Sequence, residues 1–181
     1  MRLLPTRLPD LRLIEPKLFQ DDRGSFFESY NRREFAQLSG IAAEFVQDNQ
    51  SRSKHNVLRG LHYQLPQPQG KLVRVLEGEI FDVAVDIRRT SPTFRQWEAV
   101  RLSGENRLIL WVPPGFAHGF LVLSAVAEVL YKTTDFYNPT VERCIRWDDP
   151  DLAIDWPLSG EPILSPRDRA ATRLRDADLF S

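Results

Sequence analysis

The chain has 181 residues, with 24 Lys plus Arg against 25 Asp plus Glu for a net charge of -1 at neutral pH. That balance disfavours a polyelectrolyte partner such as nucleic acid, while leaving room for a local basic pocket. A single cysteine, Cys144, excludes an intramolecular disulfide and a thiolate zinc cluster. No apolar run approaches the roughly 20 residues of a membrane span, and the start MRLLPTRLPDLRLIEP is too broken by proline and charge to read as a secretory signal. The expectation is one soluble, cytoplasmic domain over residues 1–181 that neither crosses nor docks on a membrane.

Thirteen prolines and nine glycines punctuate the chain about every eight residues, and the pieces between them are short and β-rich, the pattern of a sandwich or barrel. Residues 1–20, rich in leucine and proline, read as an arm that completes a sheet, on this chain or on a partner subunit. Asn31 with Glu34 three residues on predicts a short capped helix over 32–38. In 71–88 apolar and polar residues alternate on either side of Gly78, which predicts two strands joined by a glycine turn. Strands over 97–102 and 108–112 follow around Gly104-Glu105-Asn106, and 116–123 with 126–133 read as another hairpin. Ser165-Pro166-Arg167-Asp168 predicts a second short helix with proline at its first position.

The chain has three histidines. His55 lies in a polar stretch and reads as a solvated loop residue. His62 and His118 fall on predicted strands, where each is either a hydrogen-bonded core residue or a functional one. A metal site of the barrel kind would want a second histidine two residues after His62. Gln64 stands there, an amide and a poor ligand for first-row metals, so a metal is disfavoured. His62 suits the role of general base, provided a carboxylate fixes its tautomer. Asp168 is a candidate, although its spacing from Ser165 equally reads as a helix-capping acid. Arg23, Arg59, Lys71 and Arg167 can bind phosphate or be solvated surface charges. Strict alternation over 57–64 points Arg59 away from His62; the two share a pocket only if Gly60 bulges or the strand starts later. Tyr131 is either core or an acid in proton transfer.

Many blocks agree, in order, with one family: Asp22-Arg23-Gly24-x-Phe26-x-Glu28, Gln47-Asp48-Asn49-x-Ser51, Leu58-Arg59-Gly60-Leu61-His62-Tyr63-Gln64, and Gly70-Lys71-Leu72-Val73-Arg74. Further blocks are residues 81–88, Pro114-Gly115-Phe116-Ala117-His118-Gly119-Phe120, Tyr131-Lys132, Trp147-Asp148-Asp149-Pro150, Ile154-Asp155-Trp156-Pro157 and Leu164-Ser165-x-x-Asp168. From about residue 8 onward the chain resembles the dTDP-4-dehydrorhamnose 3,5-epimerases. The resemblance implies an all-β, cupin-type double-stranded β-helix (jelly roll) with a few short helices. It also implies a homodimer without metal or other cofactor, acting on dTDP-4-dehydro-6-deoxy-D-glucose on the way to rhamnose-containing cell-wall or O-antigen glycans.

By the same resemblance, His62 and Asp168 form the proton-abstracting dyad, Tyr131 returns a proton on the other face of the sugar, and Lys71 steadies the enolate oxygen. Arg23, Phe26, Glu28, Gln47, Asp48, Asn49, Arg59, His118, Glu142 and Arg167 fall where the family contacts substrate or shapes its site. Tyr137 lies near the aromatic that stacks on thymine, and Glu28 is expected to reach the other subunit's site. Two departures are visible: Arg167 where the family commonly has lysine, and Arg95 where it commonly has glycine. Rival readings are a relative inverting one carbon, a metal-dependent cupin, and a non-catalytic sugar-nucleotide binder.

Overall fold

The computed structural model describes all 181 residues. The alternating runs become thirteen strands: β1 (Arg2–Leu4), β2 (Arg12–Glu15), β3 (Phe19–Asp21), β4 (Gly24–Phe26), β5 (Gln47–Lys54), β6 (Leu58–Gln64), β7 (Lys71–Glu77), β8 (Glu79–Asp86), β9 (Trp97–Ser103), β10 (Ile109–Val112), β11 (Phe116–Val122), β12 (Val126–Thr133) and β13 (Glu142–Cys144). They form a six-stranded sheet in the order β1-β2-β10-β7-β12-β5, a five-stranded sheet in the order β13-β6-β11-β8-β9, and the separate pair β3-β4. The pairings are antiparallel. The two large sheets face one another as a jelly roll.

This order corrects the expected hairpins. β7 and β8 do not pair: β7 lies between β10 and β12 in one sheet, and β8 between β11 and β9 in the other. The same holds for β9 with β10 and for β11 with β12. Gly78, Gly104 and residues 123–125 between β11 and β12 are corners at which the chain changes sheet. Gly78 has φ +79°, and a Cβ there would lie 2.0 Å from the carbonyl oxygen of Val126, so the corner admits only glycine. Alternation fixes which residues share a face but not which strand lies alongside.

Between the sheets lies the central core, including Val73 and Val75 of β7, Ile80 and Ala84 of β8, Leu110 and Val112 of β10, Phe116 and Phe120 of β11, and Val129 of β12. Leu8, Leu11 and Leu13 join it, and β2 pairs with β10 through Leu13 opposite Leu110. The leucine-rich start thus completes the six-stranded sheet of this chain. Each buried leucine contributes roughly 1.5–3 kcal/mol, too much apolar surface to leave in water. The piece that does stand away is the following hairpin, β3–β4, exposed along both strands.

A second core lies on the outer face of the five-stranded sheet, where Ile145, Leu152, Trp156 and Leu174 of the C-terminal wrap cover Leu61, Val83, Val85 and Leu121. This explains why β8 and β11 are buried on both faces. A third cluster on the outer face of the six-stranded sheet packs Phe35 of helix α1 (Arg32–Ser39) against Trp111, with ring centroids 5.7 Å apart. The Asn31 side chain caps α1 by accepting from the N–H groups of Arg33 and Glu34, and Gly40 ends it in the left-handed conformation. Helix α2 (Pro166–Arg169) is a single turn capped by Ser165.

Candidate active site

The site begins with a glycine. Along β6 and β11, His62 lies opposite His118 and Arg59 opposite Phe120, so three steps on β6 answer two on β11. Gly60 supplies the bulge: its φ is +123°, and a Cβ would lie 2.5 Å from the Cα of Gly119. The extra residue resolves the conflict in the alternation, because Arg59 and His62 now line the same cleft. With Val57, Glu142 and Ile163–Asp168 they enclose about 510 Å³.

Across this cleft β6 meets the C-terminal segment. His62 Nε2 lies 2.6 Å from Asp168 Oδ1. Asp168 is also what its spacing from Ser165 suggested, since its N–H donates to Ser165 Oγ at 3.1 Å. The hydroxyl in turn donates to Asp168 Oδ2 at 2.7 Å. Capping and dyad, alternatives in the sequence, are one arrangement. Burial pushes the Asp168 carboxyl up, but hydrogen bonds and charge from His62, the Ser165 hydroxyl and the Gly60 N–H outweigh it and hold the group below the ordinary carboxylate range. An ionised Asp168 accepts Nε2–H, which fixes the tautomer and leaves the Nδ1 lone pair free to take a proton.

The facing wall is the six-stranded sheet. Tyr131 packs against the central core, and its register partner Asn49 and the pair Thr133–Gln47 share its side of the sheet. Burial raises the Tyr131 phenol, against a smaller opposing effect of Arg59, so it keeps its proton at neutral pH. Lys71 Nζ approaches the backbone oxygen of His62 at 3.5 Å. Burial lowers the ammonium to about 8, with the Asp82 carboxylate opposing the shift. The structure therefore sets an oriented imidazole on the five-stranded sheet, and a protonated phenol and a dehydrated cation on the six-stranded sheet. Neither Tyr131 nor Lys71 lines the cleft of about 510 Å³ itself.

The other expected residues divide. His118 is buried, with Nε2 2.8 and 3.0 Å from the oxygens of a fully buried Asp82. His118 lies opposite His62 on the neighbouring strand, so its pairing with Asp82 runs beside the His62 side of the dyad. Tyr137 Oη donates to Glu142 Oε2 at 2.8 Å, Glu142 is ion-paired with Arg167, and the Tyr137 N–H donates to Gln47 Oε1 at 3.0 Å. Gln64, a poor metal ligand, is a buried brace: it donates to the carbonyls of Gln67 and Phe136 and accepts from the Asn138 N–H, fixing the loop that carries Tyr137. Asp48 points to the opposite face of β5 from Gln47 and Asn49, where Lys132 holds it at 2.9 Å.

Arg23 and Phe26 lie on the projecting hairpin and Glu28 just after it; none of the three lines the His62 cleft of this chain. Arg23 pairs with Asp21, and Glu28 accepts from Asn31 Nδ2 at 3.2 Å. His55, expected in solvent, is exposed but anchored, with Nδ1 3.0 Å from the Leu123 carbonyl and Nε2 2.7 Å from Ser159 Oγ. The sequence reasoning missed three neighbours of Asp168: the Ser165 hydroxyl, the Gly60 N–H and Cys144, whose Sγ is 3.6 Å from Asp168 Oδ1. Only Ser165 left a signal, as a cap. His62, Cys144 and Asp168 are also the one His/Cys/Asp/Glu group placed to hold a metal ion.

Together, sheet order and cleft define a jelly-roll protein equipped for proton transfer. A family model described as dTDP-4-dehydrorhamnose 3,5-epimerase matches residues 5–176. A curated protein of that name from Pseudomonas aeruginosa is 59% identical over 180 residues, 99% of each chain. The chain belongs to the dTDP-4-dehydrorhamnose 3,5-epimerase family. The crystal structure of a dTDP-6-deoxy-D-glucose-3,5-epimerase from Legionella pneumophila, in complex with dTDP-4-keto-L-rhamnose, superposes with a TM-score of 0.97 at 55% identity, covering 99% of this chain and 97% of that one. A 3'-monoepimerase from Streptomyces bikiniensis, in complex with dTDP-quinovose, shares the fold at a TM-score of 0.87 and 33% identity, over 97% of this chain and 88% of that one.

Proposed function

We propose that this protein epimerises dTDP-4-dehydro-6-deoxy-D-glucose at C3 and C5, giving dTDP-4-dehydro-L-rhamnose. The observation that carries the mechanism is the 2.6 Å contact of His62 Nε2 with the buried Asp168 carboxylate beside an open cleft. A hydrogen next to the C4 ketone is acidic because the carbanion delocalises onto oxygen. His62 Nδ1 takes that proton, Asp168 steadies the resulting imidazolium, and Lys71 places positive charge where the enolate oxygen develops. Tyr131, on the opposite wall, delivers a proton to the other face of the ring. Repetition at the second carbon completes the reaction without oxidation or reduction.

Around this centre Arg59 and Arg167 suit the diphosphate, Tyr137 offers a ring on which thymine stacks, and Gln47, Asn49 and His118 hold the sugar. The reading includes a cytoplasmic homodimer. Its support is the hairpin β3–β4, which presents Phe19 and Phe26 at 50% and 66% exposure, surface that a second subunit would cover. In this arrangement Arg23, Phe26 and Glu28 act at the partner's cleft.

The test is a proton NMR time course of the 4-keto sugar nucleotide in deuterated water. Wild-type protein incorporates label at C3 and C5. H62A loses exchange at both carbons, by about 10³-fold or more for removal of the base. Y131F keeps exchange but fails to invert. Label at C3 alone would give the single-carbon reading instead, and full epimerisation by H62A would remove the imidazole from its role.

A further inference from the structure

Three donor atoms from three different elements converge at the back of the cleft: His62 Nε2 from β6, Cys144 Sγ from β13 and Asp168 Oδ1 from α2, all within 4.8 Å of one another. β13 pairs with β6 so that Cys144 lies opposite His62, and the two side chains leave the sheet on the same side. We propose that this trio is an inhibitory site for a soft or borderline divalent cation, zinc above all, which binds in place of the proton shared by His62 and Asp168.

The geometry suits zinc. With metal–nitrogen and metal–oxygen bonds near 2.0–2.1 Å and a metal–sulfur bond near 2.3 Å, tetrahedral ligation asks for donor separations of about 3.4–3.6 Å. The Sγ–Oδ1 separation is already 3.6 Å. The Nε2–Oδ1 contact, now 2.6 Å, has to open by roughly 0.8 Å to reach that spacing. Ser165 Oγ anchors Oδ2, leaving Oδ1 as the ligand. The His62 side chain keeps 27% of its surface accessible, so a cation can enter from the cleft and retain a water or substrate oxygen as its fourth ligand. Binding releases one proton to solvent, from the thiol, while the imidazole keeps its single proton, which moves from Nε2 to Nδ1. Sulfur and imidazole select zinc or cobalt over magnesium, which prefers an all-oxygen shell.

Inhibition rests on the dyad reading above, whereas binding does not. A cation on Nε2 leaves the imidazole proton on Nδ1 and takes Asp168 away from the ring, so Nδ1 has no lone pair with which to accept the substrate proton. A ligand count from sequence finds two histidines on strands and no partner beside His62, and overlooks Cys144, eighty-two positions away in sequence.

Cobalt(II) titrated into the intact protein provides the test, read by its absorption spectrum. Wild type is expected to show a thiolate-to-cobalt charge-transfer band saturating at one equivalent per chain and erased by zinc; C144S, and C144A as a second variant, lack the band. In the deuterium-exchange assay zinc stops turnover, a chelator restores it, and magnesium at the same concentration has no effect. C144S turns over without metal and needs at least roughly tenfold more zinc for the same inhibition, having lost its soft ligand. Cobalt bound with no sulfur band, or equal zinc sensitivity of wild type and C144S, would overturn the site. Sulfur-bound cobalt with undiminished turnover would uphold the site and overturn the dyad assignment instead.

Discussion

An ammonium stabilises an enolate only while it keeps its proton, and burial makes this a close matter for Lys71, lowered to about 8. Lysine carries charge below its pKa. The Lys71-dependent part of catalysis is therefore full at neutral pH and lost as pH rises through about 8. The profile of kcat/KM, which reports the free enzyme, should fall on its alkaline side there. K71R, charged throughout, should lack that limb, and K71M should lose about 10²–10³-fold in kcat, the usual cost of one oxyanion donor. A flat profile to pH 10 in the wild type would take Lys71 out of the role. At this scale the sequence was partly legible. Asp168 looked like a cap and is one; its second role needed a partner 106 residues away, a separation that spacing cannot bridge. Tyr131 and Lys71 carried no local sign of function, because burial decides their charge states and burial is a property of the folded chain.

Among the elements, β6 does most to shape the site, and its irregularity matters more than its regularity. The sequence raised the question by placing Arg59 and His62 on opposite faces around a glycine, and the bulge answers it. Replacing Gly60 with alanine forces a side chain into a positive-φ position against the Gly119 backbone. The expected cost is about 3 kcal/mol, or roughly 6–12 °C in melting temperature for a chain of this length. Activity should fall further than stability accounts for, since straightening β6 turns Arg59 out of the cleft. A G60A protein with wild-type melting and turnover would show that the bulge is dispensable. Strand positions were legible because alternation and glycine punctuation are local signals. Strand partners were not: Gly78 in a tight hairpin and Gly78 at a corner between sheets look alike in one dimension. What separates them is the pairing of β7 with β10 and β12, contacts made across the whole chain.

At the level of the whole molecule, one chain leaves the expected site divided. His62, Arg59, Glu142 and Arg167 line the cleft, whereas Arg23 and Phe26 stand on the exposed β3–β4 hairpin and Glu28 just beyond it. Two-fold symmetry turns that division into a prediction, because in a homodimer each hairpin can serve its partner's cleft. Neither H62A nor E28A homodimers should then support turnover, the first lacking its base and the second a substrate contact. In a mixed dimer one cleft carries both lesions, while the other pairs an intact His62 with the partner's intact Glu28. Co-expressing the two variants under different affinity tags should restore about a quarter of wild-type activity per chain, since half the dimers are mixed and each has one good site. Doubly purified mixed dimers should reach about half. If the mixture stays inactive while the mixed dimer is physically present, Glu28 works on its own chain's cleft, and the hairpin must fold back to deliver it.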